Sequence, residues 1–148
     1  MDFKIVVNDE LISSARHMRE GVDNPLLAMV LFAGDRLSCC DEGVAAIGQD
    51  GQILGLVTIA PLGEMMEGCP TIVAVAVSSH TRRQGIAKQL FVKAVQRMQE
   101  RGLSLPYRVD TITKMGKGLV ASLGDDTKVC LQVVDASKYS FPLHLMTH

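Results

Sequence analysis

Arg82 and Arg83 stand between an apolar run, Val75-Ala76-Val77, and the opening of a long amphipathic stretch, Gln84-Gly85-Ile86-Ala87. With the run as a strand and the stretch as a helix, the first backbone N–H groups of that helix lack intrahelical partners, and its dipole makes that end positive. Gly85 and Ala87 keep the surface small, so a bulky anion can approach the main chain, and the two arginines add fixed positive charge. The chemistry this suits is a nest for a phosphate or pyrophosphate. It is neither a Walker loop, which needs Gly-Lys-Ser/Thr, nor a dinucleotide-binding fingerprint, which needs three glycines.

Charge is gathered around that turn. Between His80 and Gly118 lie Arg82, Arg83, Lys88, Lys93, Arg97, Arg101, Arg108, Lys114 and Lys117, opposed only by Glu100 and Asp110, a net +7 in a chain whose total is −1. A basic segment in a nearly neutral protein suggests a local anionic ligand, although a solvated helix face would give the same count. The overall balance argues against a nucleic-acid-binding protein, as does an aromatic content of 4% with no Trp. At 148 residues, with 47% hydrophobic and 21% charged residues, the chain has the length and composition of one globular domain, residues 1–148. Cys39, Cys40, Cys69 and Cys130 form no Cys-x-x-Cys pair and have no His at zinc-finger spacing, so free thiols and no metal are expected. Residues 1–8 do not read as a secretory signal, and the longest apolar run, Ile72 to Val77, is far short of a membrane span. A reduced, cytoplasmic setting without membrane contact is the expectation.

The elements that must position the turn follow from periodicity. Phe3 to Val7 reads as a strand, Asn8 as the cap of a helix from Asp9 to about Glu20, and Asn24-Pro25 as the start of a second helix over Leu26 to Phe32. Gly43 to Ile47 and Ile53 to Ala60 form a hairpin around Asp50-Gly51. Thr71 to Val77 is apolar on both faces and so central in its sheet. Gln84 to Arg101 carries one stripe, Ile86, Ala87, Leu90, Phe91, Ala94, Val95 and Met98, and ends at Gly102. Tyr107 to Ile112 is the next strand, which makes the helix a βαβ crossover. Lys114 to Leu123 is a shorter helix containing Gly116 and Gly118, Asp125-Asp126 a turn, and Val129 to Val134 with Phe141 to Met146 a closing hairpin. The order is β-α-α-β-β-β-α-β-α-β-β.

Arg82-x-x-Gly85-x-Ala87 resembles the Arg/Gln-x-x-Gly-x-Gly/Ala signature of the GNAT N-acetyltransferase superfamily, and its setting agrees: an apolar strand before it, an amphipathic helix beginning within it, and Leu90 three residues after Ala87. The hairpin with Gly55 looks like that superfamily's second and third strands, and Thr113 to Gly124 like its fourth helix with the following glycine. The resemblance implies an α+β, three-layer α/β/α fold whose mixed sheet of about seven strands contains a splayed parallel pair, Thr71 to Val77 and Tyr107 to Ile112. It implies acetyl-CoA in that gap as cosubstrate. The main chain of Val75 and Val77 would pair with the pantetheine arm, and the amides from Arg83 through Gln84, Gly85, Ile86 and Ala87 would hold the pyrophosphate. Arg82, Lys88 and Lys117 would meet the adenosine phosphates, and Thr113 stands at a nearby position that is often Asn in the family. An amide near Val77 would stabilise the oxyanion as an amine attacks the thioester.

Acid–base chemistry departs from the pattern. The family's leaving-group acid is a Tyr four residues before the helix-ending glycine, and here that position is Val120. The thiolate then leaves unassisted or protonated through water, or Tyr107 or Tyr139 substitutes, although Tyr107 also reads as a strand aromatic packing on its neighbours. Glu64 and Glu67 are the best-placed bases for the substrate ammonium, and both also read as solvated loop carboxylates. His80, beside the phosphate loop, is of the residue type able to switch charge near neutrality, and it reads first as a surface or CoA-contacting residue. The implied activity is acetyl transfer to a primary amine on a small molecule or peptide by direct attack in a ternary complex. The alternatives are a CoA-binding regulatory or interaction module with weak or no catalysis, and a domain for a nucleotide or another phosphate ligand. A homodimer through the C-terminal hairpin would cover that hairpin's edge.

Overall fold

A computed structural model describes residues 1–20, 40–61, 69–78, 85–111 and 114–135. The helix expected over residues 26–32 and the strand expected over residues 141–146 lie outside them. The described elements are β1 (Asp2–Val7), α1 (Asn8–Glu20), β2 (Glu42–Ile47), β3 (Ile53–Ala60), β4 (Thr71–Val77), α2 (Ile86–Glu100), β5 (Tyr107–Thr111), α3 (Lys114–Ala121), α4 (Asp125–Lys128) and β6 (Leu131–Asp135). They build a six-stranded sheet in the order β1-β2-β3-β4-β5-β6, with β1 to β4 antiparallel and β4-β5 and β5-β6 parallel.

The alternation of side chains across the strands divides the core into two layers. On one face Leu11, Ala15 and Met18 of α1 pack on Val6, Ala45, Leu56, Ala60, Ala74 and Ala76. On the other, Ile86, Leu90, Phe91, Ala94, Val95 and Met98 of α2 pack on Val44, Ala46, Val57, Ile59, Ile72 and Val109. This is the expected three-layer α/β/α arrangement. The α2 stripe is the one that periodicity marks, except that Ala87 is only half-buried. Gly102, at φ 72°, ends α2 with two bonds, Leu103 N–H to Met98 O (3.1 Å) and its own N–H to Gln99 O (3.0 Å). That pair is a Schellman cap.

Six strands of the expected mixed sheet lie among the described residues, and two details of the expected elements differ. The last described strand starts at Leu131 rather than Val129 and runs parallel to β5, in register from Tyr107↔Leu131 to Thr111↔Asp135. It can do so because α3 and α4 carry the chain back to the starting end of the sheet. Asp125 and Asp126 open α4, a single helical turn rather than a plain turn, where their negative charge suits the positive end of the helix.

Where β4 meets its two neighbours the sheet opens. Against β3 the register passes from Thr58↔Ala74 to Ile59↔Ile72, so Val73 is an extra residue and β4 is bulged there. Against β5, β4 pairs only at Thr71↔Arg108 and Ile72↔Val109, while β5 continues beside β6 to Thr111. From Val73 onward β4 has left β5. The splayed parallel pair is therefore present, and the bulge coincides with the point of divergence.

Candidate functional site

The edge of β4 exposed by this divergence has a definite polarity. Ser78 N–H donates to Leu54 O at 2.8 Å, which fixes the residues that face β3. In an antiparallel pair, hydrogen-bonded and non-hydrogen-bonded positions alternate, so Ala76 also faces β3, while the main-chain groups of Val75 and Val77 turn away from it. They turn to the side that β5 has vacated. Their side chains are half-buried against the α2 layer.

The first turn of α2 lies at the same end of the sheet. Gly55 of β3 is in register with Val77, and a Cβ on Gly55 would stand 3.3 Å from Ile86 Cγ2 and 2.8 Å from Leu90 Cδ1. Gly85 precedes the helix at φ 73° and ψ 13°, a left-handed conformation that glycine adopts without strain. Among the described residues no side chain caps this end, and no acid occupies the first turn, although Gln89 N–H closes the turn on Gly85 O at 3.1 Å. The amides of Ile86, Ala87 and Lys88 therefore lack intrahelical partners at the positive end of the dipole. A left-handed residue followed by helical ones is the backbone form that gathers N–H groups into an anion-binding nest. No described atom lies within 4 Å of a Cβ built on Gly85, so its backbone angle is what demands glycine.

Of the residues expected in the site, the structure thus brings together Val75, Val77, Gly85, Ile86, Ala87 and the exposed Lys88. Lys117 is exposed on α3, the helix that follows β5. Glu64, Glu67, His80, Arg82, Arg83, Gln84 and Thr113 lie outside the described residues. Tyr107 does not join the site. It is fully buried at the start of β5, at the end where β4 and β5 remain paired, and its hydroxyl donates to Leu103 O at 3.0 Å. Burial pushes its phenol above the ordinary 10.0, and the neighbouring Cys130 adds to the effect. It is a core residue satisfied from within, not an acid facing the gap. Val120 is buried in the α2 layer of the core.

The basic segment is less available than its count implies. Arg97 Nε lies 2.9 Å from Glu42 Oε1, and Arg101 Nη1 lies 3.0 Å from Glu42 Oε2. Arg101 Nη2 reaches Asp41 Oδ2 at 2.6 Å, and the hydrogen bond to Asp41 is the main cause that raises the Arg101 pKa. Lys93 Nζ sits 5.6 Å from the centroid of the Phe3 ring. Lys93, Arg97 and Arg101 follow one another at helical i,i+4 spacing, which marks them as one flank. Nothing in the sequence says that this flank overhangs β1 and β2. Among the described residues no group of His, Cys, Asp and Glu is placed to hold a metal ion, and no helix is long and apolar enough to cross a membrane.

Residues 14–112, more than half of the chain, match the family model described as acetyltransferase (GNAT) family. Among solved structures, the fold is similar to that of a GNAT-family N-acetyltransferase (YhbS) from Escherichia coli in complex with CoA: TM-score 0.53, 20% identity, 68% of this chain and 57% of that one. It is also similar to a ribosomal-protein-alanine N-acetyltransferase from Brucella melitensis, with a TM-score of 0.56 and 19% identity over 95% of this chain and 96% of that one. An acetyltransferase of the GNAT family from Staphylococcus aureus gives a TM-score of 0.55 at 15% identity, over 79% of this chain and 78% of that one. At these identities the likeness is one of fold. No curated protein matches the chain.

Proposed function

The chain belongs to the GNAT acetyltransferase family, and we propose that it transfers an acetyl group from acetyl-CoA to a primary amine by direct attack in a ternary complex. The observation that carries this reading is the parting of β4 from β5 beyond Ile72↔Val109, with the Val75 and Val77 main chain turned to the vacated side and, beside Val77, a helix start that no described side chain caps. An extended pantetheine arm fits that edge as an added strand would. The diphosphate falls to the amides from Arg83 through Ala87, and the adenosine phosphates to Arg82, Lys88 and Lys117, with Thr113 nearby.

Acetyl-CoA supplies an activated acyl group. The residues of the chain do the rest. The amine, relieved of a proton by Glu64 or Glu67 directly or through water, attacks the thioester carbonyl. An amide near Val77 receives the developing oxyanion. The C–S bond then breaks and CoA leaves as the thiolate. With Val120 at the family's tyrosine position and Tyr107 held in the core, that thiolate takes its proton from water. Glu20, Asp23, Asp35, Glu64 and Glu67 lie in or beside the segments that would wall the acceptor site, and their charge favours a cationic amine.

Calorimetric titration of the folded protein with acetyl-CoA tests the reading. Binding is expected, and Arg83→Glu and Gly85→Glu should lose affinity while still melting cooperatively. A folded protein that produces no binding heat ends the proposal. Val120 supports a second reading, a CoA-binding regulatory module, because a buried valine cannot donate a proton. Tight CoA binding without thiol release across a broad amine panel would favour it.

A further inference from the structure

We infer that Gly55, on β3 and outside the gap, is a positioning residue for the diphosphate end of the CoA site. The inference rests on the acetyl-CoA reading above. A Cβ at position 55 would stand 2.8 Å from Leu90 Cδ1, 3.1 Å from Ala76 O and 3.3 Å from Ile86 Cγ2. Leu90 and Ile86 are 0% and 1% exposed, so neither can swing into solvent, and Ala76 O is main chain of the strand that lines the gap. Reaching ordinary contact of about 3.4 Å from 2.8 Å requires a displacement of roughly 0.6 Å or more in a close-packed layer. Two things can move: the first turn of α2, which carries the anion-binding amides, or the end of β4, which presents Val75 and Val77. Both are walls of the site. Glycine at position 55 is what allows helix and strand to close on each other at the distance the site uses.

Gly43 provides the internal control. A Cβ there would stand 2.8 Å from Val57 O and 2.9 Å from Leu11 Cδ1, at least as tight, but on the α1 face of the sheet and away from the helix start. The experiment compares Gly55→Ala with Gly43→Ala by thermal melting and by calorimetric titration with CoA. Both variants should melt below the wild type. Only Gly55→Ala should bind CoA more weakly, by about tenfold, since sub-ångström misplacement of binding groups has effects of that order. Adding Leu90→Val to Gly55→Ala removes the closest contact and should recover most of the affinity, whether or not it recovers the melting temperature. Equal loss of CoA affinity in the two single variants, or unchanged affinity in Gly55→Ala, overturns the assignment. Failure of the Leu90→Val rescue overturns it as well. A wild-type protein that does not bind CoA overturns instead the reading on which it rests.

Discussion

Replacing Glu42 by Gln keeps the side chain's shape and removes one charge from the clamp between β2 and α2. The Glu42 side chain is 5% exposed and accepts from Arg97 Nε at 2.9 Å and Arg101 Nη1 at 3.0 Å. A hydrogen bond to a charged group contributes about 1.5–3 kcal/mol, so two set a ceiling near 3–6 kcal/mol. The actual loss is smaller, because the arginine side chains are 30% and 22% exposed and neither is stranded: Arg97 keeps Glu100 and Arg101 keeps Asp41. Halving the ceiling for that solvation and those partners gives about 2–3 kcal/mol. For a domain of this size each kcal/mol moves the melting temperature by about 2–4 °C, so Glu42→Gln should melt roughly 4–12 °C lower. Thermal denaturation followed by circular dichroism measures it, with Arg97→Gln and the double variant completing the cycle. Most of the loss should persist at about 1 M salt, since a buried partner is poorly screened. Lys4→Gln is the surface comparison: its pair with Glu10 joins side chains 58% and 49% exposed and should be nearly silent. A Glu42→Gln protein that melts like the wild type, or whose deficit disappears in salt, would show that the clamp is a solvated surface pair and refute the reasoning.

Two further predictions concern single positions. Gly85→Ala should lower stability by about 1–2 kcal/mol through its left-handed backbone alone, as no described atom opposes the new Cβ. Gly85→Asn, a residue that tolerates that region, should lose less, and melting of the two side by side decides it; an alanine variant as stable as the wild type would show that the turn does not need glycine. Tyr107→Phe should cost about 0.5–1.5 kcal/mol for the bond to Leu103 O and leave acetyl transfer unchanged, whereas a large fall in kcat would restore Tyr107 as an acid. Its pH dependence follows from the raised phenol pKa. The folded state holds the Tyr107 proton above pH 10.0 while the unfolded chain releases it, so this contribution is intact below 10.0 and is lost as pH rises further. Urea denaturation across that range should show a shallower alkaline decline in the Phe variant.

The parts of the fold that were legible in the sequence are those set by local pattern. The α2 stripe and Gly102 gave the helix and its cap, and β3 and β4 have the bounds expected from their apolar runs. The bulge at Val73 was not legible, because Thr71 to Val77 is uniformly strand-forming and the slip exists only in the register with β3. The partners of Arg97 and Arg101 were hidden for a similar reason: Asp41 and Glu42 are more than fifty residues away and meet them only once β2 is seated under α2. A count of +7 gives no direction to any one charge, so it overstated what is available to an anion. The structure sorts those charges along the helix. Toward the C-terminal end of α2, Arg97 and Arg101 are tied to β2 by ion pairs. At its N-terminal end the first turn holds no acid, no described side chain caps it, and the turn rests against Gly55. A helix anchored by charge at one end and by the absence of a side chain at the other keeps its first-turn amides fixed in place, with no described side chain capping them. That is the condition an anion site needs, and it is how Glu42 and Gly55, neither of them in the gap, bear on the geometry of the site.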